Sequence, residues 1–139
     1  MKPADLKFYS DFAYLVASRS HCNRRKVGAV LVSPDTSNIL AYGYNGQPSG
    51  APNCCEDSSG LTLPTTIHAE LNAIAKAAKL GHSTKDSILF VTLSPCVNCA
   101  VLLLQSGISR IYYSEAYKDL TGLELLSASG ITCIYNPKS

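Results

Sequence analysis

Cys96-Val97-Asn98-Cys99 follows a strand-like run, Ser87–Leu93, through the pair Ser94-Pro95. No other stretch limits the fold as much. Ser94 reads as a helix N-cap and Pro95 as a first-turn residue, so a strand must give way to a helix at the C-x-x-C. Positions three apart share one helix face, so both sulfurs can reach one ion. The free N–H groups of a helix start also favour thiolates. Alone, the spacing fits zinc, a redox pair or two small core residues.

The rest of the chain supplies the frame. Leu6, Tyr9, Ala13, Val16 and Ala17 recur at helical spacing, which predicts a helix over about 5–19. Val27–Val32 and Ile39–Tyr44 flank the turn residues Pro34, Asp35, Ser37 and Asn38 and predict a hairpin. Residues 45–65, rich in Gly, Pro, Ser and Asn, predict a long loop of the kind that usually serves function. Ile67–Leu80 predicts a second helix closed by Gly81, and the C-x-x-C helix runs to about Gln105. Ile108–Tyr113 and Ile131–Tyr135 predict strands around a helix over Leu120–Ser129. A hairpin followed by alternating strands and helices predicts an α/β fold: a three-layer α/β/α sandwich with a mixed five-stranded sheet. The absence of repeats or linkers predicts one domain over residues 1–139.

His68-Ala69-Glu70 opens the second helix. Residues i and i+2 do not share a helix face, so both serve one site only if it lies at the helix end. Two helix starts would then converge beside the carboxyl ends of strands, where open α/β sheets place their sites. His68, Cys96 and Cys99 make three zinc ligands with a fourth position open, as in catalytic sites. Glu70 stands beside that position as a proton carrier. Taken singly, His68 would be a helix-start histidine and Glu70 a solvated carboxylate; the combination is far more specific.

The chain has 139 residues, 46% hydrophobic and 16% charged, enough for a packed core and against wholesale disorder. Its formal net charge of +2 argues for a small substrate over a stable nucleic-acid partner. No run approaches the roughly 20 apolar residues of a membrane span, and the first residues lack a secretion signal. The expectation is a cytoplasmic protein, or one of the host cytoplasm if viral, with thiols used for metal in preference to disulfides.

The H-x-E and P-C-x-x-C motifs resemble those of the zinc-dependent cytidine/deoxycytidylate deaminase superfamily. Ser20-His21-Cys22-Asn23-Arg24, Val27-Gly28-Ala29-Val30, Gly43-Tyr44-Asn45-Gly46-Gln47-Pro48-Ser49-Gly50, His68–Ile74, Tyr112-Tyr113 and Tyr117 resemble the deoxycytidylate (dCMP) deaminases of bacteria and bacteriophages. The resemblance runs from about Phe12 to Ile134. It implies a cytidine deaminase-like fold and hydrolysis of dCMP to dUMP for thymidylate synthesis. It also implies a homohexamer activated by dCTP and inhibited by dTTP, with Mg2+ accompanying a triphosphate effector. By the same resemblance, Glu70 is catalytic, the Ala69 carbonyl accepts the substrate amine and Asn45 holds the deoxyribose. The Arg24-Arg25-Lys26 cluster suggests a phosphate site through Arg24 and Lys26, for substrate or effector, with Tyr117 as a second candidate. Some relatives carry a structural zinc near the equivalents of Cys22 and the Gly43–Gly50 loop; here Cys22, Cys54, Cys55 and His21 leave a four-ligand set open.

Three other readings use the same residues. A deaminase of bases in tRNA or single-stranded DNA would need a channel for flanking nucleotides. A deaminase of a pterin, guanine or nucleoside would need no phosphate cations. A non-enzymatic zinc module would have no use for Glu70.

Overall fold

The computed structural model describes residues 1–138. In chain order the elements are α1 (Pro3–Ala17), β1 (Gly28–Val32), β2 (Ile39–Tyr44), α2 (Ala69–Lys79), β3 (Ile88–Leu93), α3 (Val97–Gln105), β4 (Arg110–Glu115), α4 (Thr121–Ala128) and β5 (Thr132–Tyr135). They form one five-stranded sheet in the order β2-β1-β3-β4-β5. β1 is antiparallel to both β2 and β3, whereas β3, β4 and β5 run parallel. None of the described helices is long and apolar enough to cross a membrane.

Successive side chains on a strand face opposite ways, and this separates two cores. Ala29 and Leu31 of β1, with Leu89 and Val91 of β3, pack against Ala69, Ala73 and Ala77 of α2, Leu103 of α3 and Leu126 of α4. Val30 and Val32, with Phe90 and Tyr112, pack against Tyr9, Ala13 and Val16 of α1. The result is the three-layer sandwich expected, with one helix on one face and three on the other.

Two helix ends were misplaced by the sequence pattern. α1 begins at Pro3, because proline suits a first turn where its missing N–H is not needed. α3 begins at Val97 with Cys96 as its N-cap, not Ser94. The Ser94 hydroxyl instead accepts the Tyr117 N–H at 2.7 Å, and the Ser94 N–H donates to the Glu115 carbonyl at 2.9 Å. Ser94 thus ties the exit of β3 to the exit of β4.

Two close approaches fix the helices that carry the candidate site. A Cβ on Gly43 would lie 2.6 Å from the Ala69 carbonyl and 2.5 Å from the Ala73 nitrogen, so β2 meets the first turn of α2 backbone to backbone. A Cβ on Gly122 would lie 2.2 Å from the Pro95 carbonyl, so the start of α4 presses on the turn before α3. Backbone cannot yield as a side-chain tip can. Gly122→Ala should therefore cost about 1–3 kcal/mol, measured as a fall in the urea midpoint. An unchanged midpoint would mean that α4 does not press on this turn.

Candidate active site

α2 and α3 start side by side, and the residue at each N-cap position is a potential ligand: His68 and Cys96. Cys99 lies one turn into α3. The His68 Nδ1 is 3.6 Å from the Cys96 Sγ and 3.3 Å from the Cys99 Sγ. All three donor atoms lie within 4.8 Å of one another. A tetrahedral zinc with ordinary bond lengths would hold a sulfur and a nitrogen about 3.6 Å apart. The spacing and the donor set, one imidazole and two thiols, therefore fit zinc and leave room for a fourth ligand.

The two thiols interact directly. The Cys99 thiol donates to Cys96, and this bond, with that to His68, pulls Cys96 down to about 3. The same contact and burial push the Cys99 thiol up. His68 is raised, chiefly by its bond to Cys96. Glu70, in the first turn of α2, is only 5% exposed. Burial pushes its carboxyl up to about 7.

His68 and Cys96 of the triad line a cleft of about 560 Å³ that also contains Asn45, Ala69, Glu70, Arg24, Arg25, Tyr117 and Lys118. Four of the five residues expected to bind substrate line it: Asn45, Ala69, Arg24 and Tyr117. Lys26 does not; its ammonium donates to the Ser20 carbonyl instead. Asn45 is also held by the fold. Its Oδ1 accepts the Val27 N–H at 2.8 Å and its Nδ2 donates to the Arg25 carbonyl at 2.7 Å.

The cysteine expectation needs correction. Cys22 and Cys55 form a disulfide, with Cα atoms 5.1 Å apart. The long loop folds back against the segment before β1, which brings two residues 33 positions apart into bonding range. Cys54 points elsewhere, its Sγ 3.1 Å from the Glu56 carbonyl. Of the set Cys22, Cys54, Cys55 and His21, only Cys22 and Cys55 are brought together, with the Glu56 carboxylate within 4.8 Å, and their sulfurs are joined to each other. Beside the disulfide, the Glu56 carboxylate accepts the N–H groups of Asn23 and Arg24 at 3.1 and 3.2 Å. Glu56 and Lys118, both lining the cleft, carry no motif by which the sequence could have singled them out.

The burial of Glu70 has a consequence for the metal-free fold. The folded carboxyl binds its proton more tightly than the unfolded one, so this group's contribution to stability falls as pH rises from about 4.5 to about 7. Above that window it should cost on the order of 3 kcal/mol. Glu70→Gln should raise the melting temperature of zinc-stripped protein at pH 8 and leave it little changed at pH 4.5. Equal shifts at both pH values would show that Glu70 is not the group responsible.

Comparison with known proteins agrees with this geometry. The family described as the "Cytidine and deoxycytidylate deaminase zinc-binding region" matches residues 3–115. The deoxycytidylate deaminase of Enterobacteria phage T4 is 33% identical over 91% of this chain and 86% of its own length. That of Saccharomyces cerevisiae is 34% identical over 95% of this chain, which spans only 45% of the yeast protein. Among solved structures, the dCMP deaminase of cyanophage S-TIM5, in complex with dCMP and dUMP, superposes with a TM-score of 0.94 at 40% identity, covering 98% of this chain and 99% of that one. With its H-x-E and C-x-x-C residues gathered beside one cleft, the chain belongs to the cytidine and deoxycytidylate deaminase zinc-binding family.

Proposed function

We propose that the protein hydrolyses dCMP to dUMP and ammonia, with zinc held by His68, Cys96 and Cys99. The observation that carries this is Glu70, a buried carboxyl beside three zinc-type donors, on the wall of a cleft that also carries cations. The phage T4 and S-TIM5 relatives are named as dCMP deaminases, which supports the choice of substrate.

Zinc, when bound, supplies Lewis-acid activation of the attacking water. The chain's own residues do the rest. The Glu70 carboxylate takes a proton from that water and delivers it to N3 of the cytosine ring, which makes C4 electrophilic. Addition of the hydroxyl to C4 gives a tetrahedral carbon. Glu70 then passes a proton to the amino group, the C4–N bond breaks and ammonia leaves. A carboxyl near neutral is suited to both directions of transfer. The Ala69 carbonyl, at the cleft wall, accepts a hydrogen bond from the exocyclic amine and so favours cytosine. Asn45 faces the deoxyribose, and Arg24 and Tyr117 the phosphate end.

The finer reading is an allosteric, cytoplasmic homohexamer activated by dCTP and inhibited by dTTP. The effector part is supported by a second cavity of about 360 Å³ at the Gly43–Gly50 loop, lined by Arg19, His21, Tyr44 and Lys76. The Lys76 ammonium lies 5.5 Å from the centre of the Tyr44 ring. Such a polar, cationic cavity suits a triphosphate with its Mg2+.

Two measurements test the proposal. Zinc-loaded protein given dCMP, dCTP, deoxycytidine and a cytosine oligonucleotide should release ammonia fastest from dCMP, with dCTP raising and dTTP lowering the rate. Faster turnover of the oligonucleotide would move the assignment to nucleic acid. Glu70→Ala should keep its zinc, measured by atomic absorption, yet lose about 10²–10⁴-fold in kcat. Retained turnover in that variant would remove Glu70 from the chemistry.

A further inference from the structure

Among the cations on the cleft wall, one has its guanidinium anchored by the fold. The Arg25 Nη2 donates to the Glu115 Oε1 at 2.8 Å, across 90 residues of sequence. Glu115 is the last residue of β4 and pairs with Leu93, the last residue of β3. Its other oxygen, Oε2, accepts the Tyr14 hydroxyl from α1 at 2.6 Å. Both carboxylate oxygens are therefore engaged, and one side chain ties α1 and the end of β4 to the segment before β1.

The neighbouring cations lack such an anchor. Among the described residues, neither the Lys118 ammonium nor the Arg24 guanidinium has a side-chain partner, although both residues line the cleft. Lys26 is turned to the Ser20 carbonyl.

Stability does not account for the arrangement. The side chains of Arg25 and Glu115 are 50% and 49% exposed, and ion pairs this open contribute little to folding. Ligand geometry accounts for it better. A guanidinium has five N–H donors in a fixed plane, and one bond to Glu115 leaves enough to grip two oxygens of a phosphate. An arginine already held in place loses less freedom on binding than a loose one.

We propose that Arg25 contacts the substrate's 5′-phosphate and so selects nucleotides over nucleosides, with Glu115 as the positioning residue that holds its guanidinium for that contact. The proposal rests on the reading of the chain as a dCMP deaminase. Arg25 also carries the carbonyl that accepts Asn45 Nδ2, so the same clamp steadies the residue assigned to the sugar.

The test compares zinc-loaded wild type, Arg25→Ala, Glu115→Ala, Glu115→Gln and the double variant Arg25→Ala/Glu115→Ala. Steady-state rates are measured on dCMP and deoxycytidine, with inorganic phosphate as a competitive inhibitor. Loss of one charge-assisted contact predicts that Glu115→Ala lowers the preference for dCMP over deoxycytidine about tenfold. The loss should appear in KM for dCMP and not in kcat, and phosphate inhibition should weaken by a similar factor. Glu115→Gln, which keeps an acceptor without the charge, should fall between wild type and alanine. In the Arg25→Ala background, Glu115→Ala should add nothing. Parallel losses on both substrates, a full Glu115 effect without Arg25, or unaltered phosphate inhibition would each overturn the clamp. Wild-type protein that turns over deoxycytidine better than dCMP would instead sink the dCMP reading, a separate failure.

Discussion

Two helices start at one point, and neither starts with a residue that caps it. His68 and Cys96 hold the N-cap positions of α2 and α3 without a side-chain hydrogen bond to the helix they open. An ordinary serine or aspartate there would contribute about 1 kcal/mol to each helix. That contribution is given up so that an imidazole and a thiol face each other across the gap. The unsatisfied N–H groups of both first turns remain as a positive end, which suits thiolates and an ionised carboxylate. The rest of the fold follows from holding these two starts together. Gly43 lets β2 touch the first turn of α2, and Gly122 lets α4 touch the turn before α3.

The strands and the chemistry were legible in the sequence because each depends on short-range pattern. The hydrophobic runs around 27–32, 39–44 and 87–93 marked the strands, and the whole metal triad sits in two compact motifs. Contacts between distant segments left no such trace. Nothing near Cys22 marks Cys55 as its partner, and connectivity among six cysteines cannot be deduced from spacing. Arg25 and Glu115 meet only because β4 ends beside the segment that precedes β1. Lys26 sits in the same charge cluster as Arg24, yet a step of two residues along an irregular segment left it bonded to Ser20, away from the cleft. Ser94 misled because a local rule met a tertiary demand: its hydroxyl serves the Tyr117 backbone, and α3 starts two residues later than a serine cap would start it.

The long connection between β2 and α2 is held at several points. Gly46 pairs with Ile67, Glu56 pairs with Thr62, and Gln47 bonds to both Thr65 and Thr66. The disulfide joins its middle to the segment before β1. Closing a loop of that length removes about 3–4 kcal/mol of unfolded-state entropy in the chain-entropy account. Fastening of this kind explains how a stretch with little regular structure can form a wall of a defined cleft.

The site itself works against the fold, and this makes the metal part of the stability. Uncapped helix starts and a carboxyl buried until it titrates near 7 disfavour the metal-free arrangement. A cation at the triad would offset the burial of the Glu70 carboxylate. Held by His68, Cys96 and Cys99, it would displace the Cys99 proton and supply positive charge beside Glu70. Because the unfolded chain does not hold the three donors at this spacing, the free energy of binding adds directly to that of folding. The two cores on either face of the sheet must therefore carry most of the metal-free fold.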